Sequence, residues 1–454
     1  MFNVLKSIIA KVDATYADIR YEVKKETKIV FNTRELAHLD SNATDGFVVR
    51  VLKNGGLSSV AFTKHKSATE ALKQAQENAA LIGQSISTPI TFAKATSVRD
   101  TFVPQLEGDP RKLSIDEKIA LTKKYNDMAL ANSKIVSTNI QYTEVIREKY
   151  FVTTEGSEIQ EDLITTRIGG LITSKDGTLV QNVRIGIGGS NGFDILRGRE
   201  DEFSRRTALA LDLLKAKPVE GSTYNVILNQ HLAGVFTHEA FGHFSEADLI
   251  EDNPSMRQAM KIGTKIGAEV LSITDDPTIP GQLGFYRYDD EGVAARPTPL
   301  LKNGTVVGRL HSRRTAAAFN EPLSGHTVAE DYRFEPIIRM GNIYVEPGPH
   351  TLDEMMQMLG SGLYIVDARG GQTSGENFTF GAQCGYRVAN GKKAEMVRDI
   401  NLSGNLYETL NSIIAVGNDL QFNETGNCGK GQMNIRSGRG APHIAVKDVV
   451  IGGV

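Results

Sequence analysis

Apolar and polar positions along the chain follow two different periods, and the change between them marks out its elements. Alternating or β-branched apolar residues over Asp18–Phe31 and Gly46–Val51 predict strands. Apolar or small residues at helical spacing over Ser67–Leu81 predict a helix, with Ser67 placed to cap it. Met1–Lys11 carries Lys6 and Lys11 and lacks both a sustained apolar stretch and a small-residue cleavage site, so it reads as a helix and not as a signal peptide. Pro104–Pro110, rich in Pro, Gly and acid, reads as a linker. Ser114 opens a helix to about Asn132, and Glu117 completes a capping-box pattern. Strand-like runs follow at Ile135–Tyr142, Lys149–Thr154, Ile164–Ser174 and Leu179–Ile187, then a helix over Glu200–Ala216.

Lys217-Pro218 and Gly221 mark a domain boundary. Beyond it, Tyr224–Leu228 predicts a short strand, Asn229 a cap, and His231 to about Ile250 a helix. After Ile262 the chain is rich in glycine and short strands, with turn signals at Gly281, Asn303-Gly304 and Asn390-Gly391, which predicts an antiparallel β domain with one further helix near Leu352–Leu359. The expected class is α+β: an N-terminal α/β region over 1–217, with subregions 1–105 and 113–217, then a β-rich C-terminal domain over 218–454 that carries the His231–Ile250 helix.

Composition narrows the function. Of 454 residues, 40% are hydrophobic and 23% charged, enough for a sizeable core. A net charge of -3 with no Lys/Arg-rich run gives no electrostatic reason to bind nucleic acid. No run of 18 apolar residues occurs, so a membrane-spanning helix is not expected. The two cysteines, Cys384 and Cys428, cannot build a disulfide framework and fit a reducing compartment, by default the cytoplasm.

The sharpest chemical signal is His238-Glu239-Ala240-Phe241-Gly242-His243. Neutral imidazoles bind Zn2+ well, and a carboxylate beside them can take a proton from a water that the metal acidifies. Histidines five residues apart diverge by about 140° on a regular helix, so both reach one ion only if the helix is broken or bulged. A single π-type turn would restore a common face, and Gly242 is the residue that would most readily permit it. Catalytic zinc usually takes three protein ligands; candidates for the third are Cys428, Glu246, Asp248 and the remaining histidines. Cys428 sits in a glycine-rich turn, Gly426–Gln432, where a metal or nearby Lys430 would lower its pKa. A small buried thiol is the bland alternative.

The chain resembles the TldD/PmbA family, formerly described as modulators of DNA gyrase and now regarded as peptidases, and within it the TldD-type member that carries the metal motif. The resemblance covers nearly the whole chain and is most specific at His238–Asp248 (HEAFGHFSEAD), Tyr288–Val293 (YDDEGV), Gly370–Gly375 (GGQTSG), Val416–Leu420 (VGNDL) and Cys428–Gln432 (CGKGQ). It implies zinc held by His238, His243 and Cys428, with Glu239 as general base. It also implies an unfolded or extended peptide substrate drawn into a chamber between subunits, in a homodimer or a heterodimer with a homologous chain lacking the motif. Two departures bear on substrate and partner choice. Leu310–Asp331, with Arg313-Arg314 and Ser324-Gly325-His326, does not follow the family's usual pattern, and the cysteine turn is one residue short.

Around that core, Glu246 or Asp248 is expected to orient a ligand imidazole, Glu246 being favoured at three residues from His243. His326, Arg339 or a backbone N–H would supply a donor for the oxyanion. Gly370-Gly371 and Gly429–Gly431 read as tight turns, or as places where an extended peptide approaches the backbone. The rival function is a non-catalytic partner or adaptor subunit with a structural metal, although such a subunit has no need of Glu239. A DNA-associated regulator finds no support in charge or motif.

Overall fold

The computed structural model describes residues 1–106 and 108–452. Glu107, within the expected linker, and Gly453 and Val454, at the end of the expected C-terminal domain, lie outside the described residues. The architecture is α+β. Helix α1 (Phe2–Ile9) leads into three antiparallel strands, β1 (Tyr16–Asn32), β2 (Glu35–Lys53) and β3 (Gly56–Phe62), covered by α2 (Ala68–Ser85). A short strand β4 (Arg99–Phe102) precedes α3 (Ile115–Ala129), which the Ser114–Glu117 capping box opens as expected. Ser67 precedes α2 but makes no side-chain cap bond. Then come β5 (Ile135–Thr153), β6 (Glu158–Asp176), β7 (Leu179–Gly189) and α4 (Glu200–Leu213).

All seven strands form one sheet in the order β3-β2-β1-β5-β6-β4, with β7 on β6, so subregions 1–105 and 113–217 are joined through the long β1–β5 ladder. The runs expected at Ile135–Tyr142 and Lys149–Thr154 are one continuous strand. The gap in the apolar pattern has a physical cause: Glu144, Arg147 and Lys149 occupy buried positions of β5, as do Arg20, Glu22 and Lys24 on β1. Glu144 pairs with Lys118 of α3, and the others pair with one another and with the C-terminal half. Arg147 bonds Glu22 at 2.8 Å, Lys149 reaches Asp290 at 3.1 Å, and Arg50 of β2 bridges Asp18 and Glu291. Asp290 and Glu291 belong to the Tyr288–Val293 segment, which serves here as a clasp between the two halves.

In the C-terminal half, β8 (Ser222–Leu228), β9 (Gly362–Ser374), β10 (Asn377–Ala389), β11 (Ile400–Asn405) and β12 (Ile444–Gly452) pair in the cycle β8-β12-β11-β10-β9-β8, which closes a barrel. A second sheet runs through Thr298–Lys302, Ile273–Asp275, Asn342–Val345 and Gly438–Ala441. Their shared core includes Val226, Phe236, Phe241, Ile343, Leu363 and Phe380. The turns at Asn303-Gly304 and Asn390-Gly391 adopt positive φ, as hairpins of this kind require.

Two expectations for this half are corrected. It is mixed, not purely antiparallel: β8–β9 and Asn342–Tyr344 with Gly438–Gly440 are parallel. Besides Leu352–Leu359, helices form at Pro254–Ala259, Arg313–Phe319 and Leu406–Asn411. These are too short to display a helical period and show in the sequence only through their caps, Asn253, Ser312 and Asn405. Among the described residues no helix is long and apolar enough to cross a membrane.

Candidate metal centre and active site

The motif segment leaves β8 and enters the space between barrel and second sheet. Asn229 caps it by accepting from Leu232 N–H at 3.0 Å, and α5 (Gln230–Phe236) follows. The segment then widens into a π turn over Thr237–Phe241, tightens to a 3-10 turn over Gly242–Ser245, and resumes as a helix at Ala247. Gly242 N–H bonds Thr237 C=O, five residues back. That single widened turn removes the divergence of the five-residue spacing and brings the two imidazoles together, with centroids 5.4 Å apart and planes at 85°.

Gly242 serves a different purpose from the one its flexibility suggests. Its torsions are ordinary helical values (φ -55, ψ -45), and the departure falls on Phe241 (φ -115). A Cβ on Gly242 would lie 2.1 Å from Met340 Sδ, so the glycine is required for close packing against the second sheet.

The Gly426–Gln432 loop lays Cys428 over this turn. Its Sγ stands 3.0 Å from His238 Nε2 and 3.6 Å from His243 Nε2, and the three donor atoms lie within 4.8 Å of one another. Two imidazoles and a thiol at this spacing are a fitting donor set for zinc. His238 is buried and held neutral: burial drives its pKa well below 6.5, with Arg439, His243 and Arg339 adding to the effect. Its Nδ1 is buried without a hydrogen-bond partner. For His243, burial opposes the cation, but hydrogen bonds with Cys428 and Glu246 prevail and push the pKa up to about 10. A proton and a metal ion therefore compete for that ring.

Of the two acids expected near the imidazoles, Glu246 reaches one and Asp248 does not. Glu246 Oε2 lies 3.1 Å from His243 Nδ1, which leaves Nε2 facing Cys428. Burial works against the Glu246 charge, yet His243, Arg339 and Lys430 hold its pKa below the ordinary carboxylate value. Asp248 is tied to Lys430 Nζ at 2.9 Å. Lys430 thus serves Glu246 and Asp248, contrary to the expectation that it would act on the thiol. His326 does not offer a free donor: Nδ1 faces Ser324 C=O and Nε2 faces Asp275, each at 2.9 Å, in a fully buried pocket. Arg339 is also fully buried, 3.6 Å from Glu246 Oε1.

Glu239 is about one-third exposed, with its carboxylate 3.8 Å from His243 Nε2. It faces a cavity of about 540 Å³ between the N-terminal sheet and the C-terminal half. One wall is the far stretch of β9. Beyond Ile365 that strand pairs only with β10; Asp367 and Ala368 give their N–H groups to Asn229 and His231, and the other edge carries no strand where Gly370 and Gly371 line the cavity. Gly370-Gly371 is therefore part of a strand, not a tight turn, and a Cβ on Gly371 would collide with the Phe380 ring. Arg439 and Arg167 also line the cavity; the sequence reading passed over both. The only trace of Arg439 there is a lone cation between two glycines, Gly438 and Gly440.

Comparison with known proteins agrees along the whole length. The PmbA/TldA metallopeptidase C-terminal domain matches residues 221–453, the central domain 108–215 and domain 1 17–80. A metalloprotease of Synechocystis is 35% identical, covering 97% of this chain and 95% of its own. A metalloprotease of Methanothermobacter thermautotrophicus is also 35% identical, over 99% and 98%. The zinc metalloprotease TldD homolog of Saccharolobus solfataricus is 29% identical over the full length of both chains. In fold, the chain is similar to a Thermotoga maritima protein solved as a candidate modulator of a DNA gyrase (TM-score 0.82, 21% identity, 99% of both chains). It is likewise similar to TldE from Thermococcus kodakarensis (TM-score 0.79, 18% identity, 100% of both). The chain belongs to the TldD/PmbA family of metallopeptidases.

Proposed function

We propose that this chain is a zinc-dependent peptidase in which His238, His243 and Cys428 hold the metal and Glu239 handles the proton. The observation that carries this reading is the convergence of the three donors within 4.8 Å, with the Glu239 carboxylate beside them at the end of a cavity. Bound there, zinc supplies Lewis acidity toward a water and a carbonyl oxygen, and the thiolate ligand makes that acidity milder than three imidazoles would. Glu239 accepts the proton of the attacking water and returns it to the departing amine. Its partial exposure puts it in reach of substrate, while Glu246 holds the His243 ring in register.

A cavity of about 540 Å³ favours an extended or unfolded peptide over a folded domain, and the open edge of β9 offers main-chain groups to such a strand. The outer edge of β2 before Phe47 is unpaired and carries exposed Leu36 and Leu39, which suits docking of a second copy or a homologous chain without the motif. Cys428 holds zinc only as a reduced thiolate, and neither it nor Cys384 is in a disulfide, which favours a reducing compartment such as the cytoplasm.

The test is Glu239→Gln. Zinc content should persist while peptide hydrolysis falls by about 100-fold or more, as loss of a general base requires. Unchanged hydrolysis would remove Glu239 from the mechanism, and zinc without hydrolysis in the unmodified protein would favour an adaptor subunit.

A further inference from the structure

The cavity beside Glu239 carries more positive charge than the one carboxylate of Glu239 answers. Arg167 comes from β6, Arg184 from β7 and Arg439 from the strand Gly438–Ala441, so three separate elements deliver guanidinium groups to one space. Glu239 itself lies in that lining and partly supports the charge of Arg439, and the remaining charges of the lining are engaged with one another or with neighbours. Arg206 pairs with Asp367 and Glu202, and Glu424 pairs with Arg199 at 2.5 Å. Among the described residues, none of the three arginines has a carboxylate at ion-pair distance.

Their environment makes this costly. Arg167 gives one nitrogen to Asn427 Oδ1 at 2.7 Å, next to Cys428, while its Nε is buried with no partner. Arg439 Nε is likewise buried and unpartnered, and its guanidinium lies under Gly426 of the cysteine loop. Burial alone pulls Arg167 down to about 10, the mark of a cation taken from water without compensation, while for Arg439 burial outweighs the opposing pull of Glu239 and Cys428. Arg184 stands at the exposed rim. Planar guanidinium forks with free N–H groups match a carboxylate, and an anion seated among them would offset the desolvation.

We infer that Arg167, Arg184 and Arg439 form a carboxylate-binding subsite next to Glu239, so that the chain selects peptides presenting a carboxylate close to the bond to be cut. This rests on the peptidase reading. The carboxylate has two sources in a peptide, the chain terminus or an Asp or Glu side chain, and the subsite chemistry is the same for both.

The experiment uses the full-length zinc-loaded protein carrying Glu239→Gln, so that binding is read without turnover. Fluorescein-labelled short alanine-rich peptides are compared by anisotropy: a free C-terminal carboxylate, its amide, and amides carrying an internal Glu or Gln. At least one carboxylate form should bind about 10- to 100-fold more tightly than its neutral counterpart, the range of a charge-assisted pair. Preference lost on amidation assigns the chain terminus, and preference lost on Glu→Gln assigns the side chain. Arg167→Gln with Arg439→Gln should bring the ratio toward one, while Arg439→Lys, which keeps the charge but not the fork, should retain part of it. Equal binding of acid and neutral peptides, or an undiminished ratio in a double variant with a normal thermal melt, overturns the subsite. Failure of the peptidase reading shows separately, as absence of hydrolysis by the Glu239-containing protein while the binding preference persists.

Discussion

Cys428 Sγ stands 3.0 Å from His238 Nε2, joining segments 190 residues apart in the chain. The contact ties the loop leading into the second sheet to the helix leaving the barrel. The donor set therefore exists only when both parts of the C-terminal half are packed together.

Replacing that thiol tests the donor set directly. Cys428→Ser is expected to lower zinc affinity by more than about 100-fold, beyond the roughly 10- to 100-fold typical of an outer partner. The fold should remain intact by circular dichroism, since the side chain is small. Zinc content after dialysis against a chelator is the measurement, and full retention would exclude Cys428 as a ligand.

Glu246 is the outer partner in question. Glu246→Gln keeps the shape but removes the charge that faces His243, Lys430 and Arg339. Zinc affinity should fall by about 10- to 100-fold. Stability should fall by about 3–5 kcal/mol, because Arg339 is then a buried cation with no counter-charge. Asp248→Asn, which touches only Lys430 in this cluster, should do much less to zinc affinity. Equal effects of the two changes would refute the separate roles.

Gly242→Ala probes the packing beneath the π turn. With Met340 Sδ at 2.1 Å from the added Cβ, the thioether has to move. The expected cost is about 1–3 kcal/mol by chemical denaturation. Because the torsions of Gly242 suit any residue, Met340→Ala should recover part of that loss. Failure to recover it would place the requirement in the backbone instead.

Asp290 links pH to the docking of the two halves. It lies 3.1 Å from Lys149 Nζ and 3.3 Å from Arg20 Nη1, with Arg147 at 4.0 Å, and accepts from Ala329 N–H at 2.8 Å. Burial opposes its charge, but Lys149, Arg20 and Arg147 overcome that and hold its pKa below 3.8. A depressed carboxylate contributes stability that is fully present above 3.8 and is lost as pH falls below it. Asp290→Asn should therefore cost about 3–5 kcal/mol near neutrality. Its difference from the unmodified protein should narrow as pH drops through the acid range. Denaturant titrations at several pH values measure both, and a difference independent of pH would contradict the pairing.

The elements that local sequence determines are those whose causes are local. The Ser114–Glu117 box, the Asn229 cap and the Leu352–Leu359 helix stand where cap chemistry and apolar period put them. The irregularity between His238 and His243 was also legible, because helical geometry forbids a five-residue spacing on one face of a regular helix. The continuous β5 strand was not, since Glu144, Arg147 and Lys149 look like solvent-facing residues until α3 covers the first with Lys118 and the C-terminal half covers the other two with Asp290 and its neighbours. His326 looked available in the sequence and is enclosed by Asp275 and Ser324 in the fold.

By itself, then, the sequence determined the helical segment that carries His238 and His243, the need for a break or bulge between them, the preference for Glu246 beside His243, and, through its resemblance, the family. Only the tertiary structure decided how close Cys428 comes, that Gly242 is there for Met340, and that Arg167 and Arg439 share the cavity of Glu239. The reason is one of range. Caps and helical periods are written within a few residues, whereas contacts between distant parts of the chain depend on which faces are buried together, and no local pattern records that.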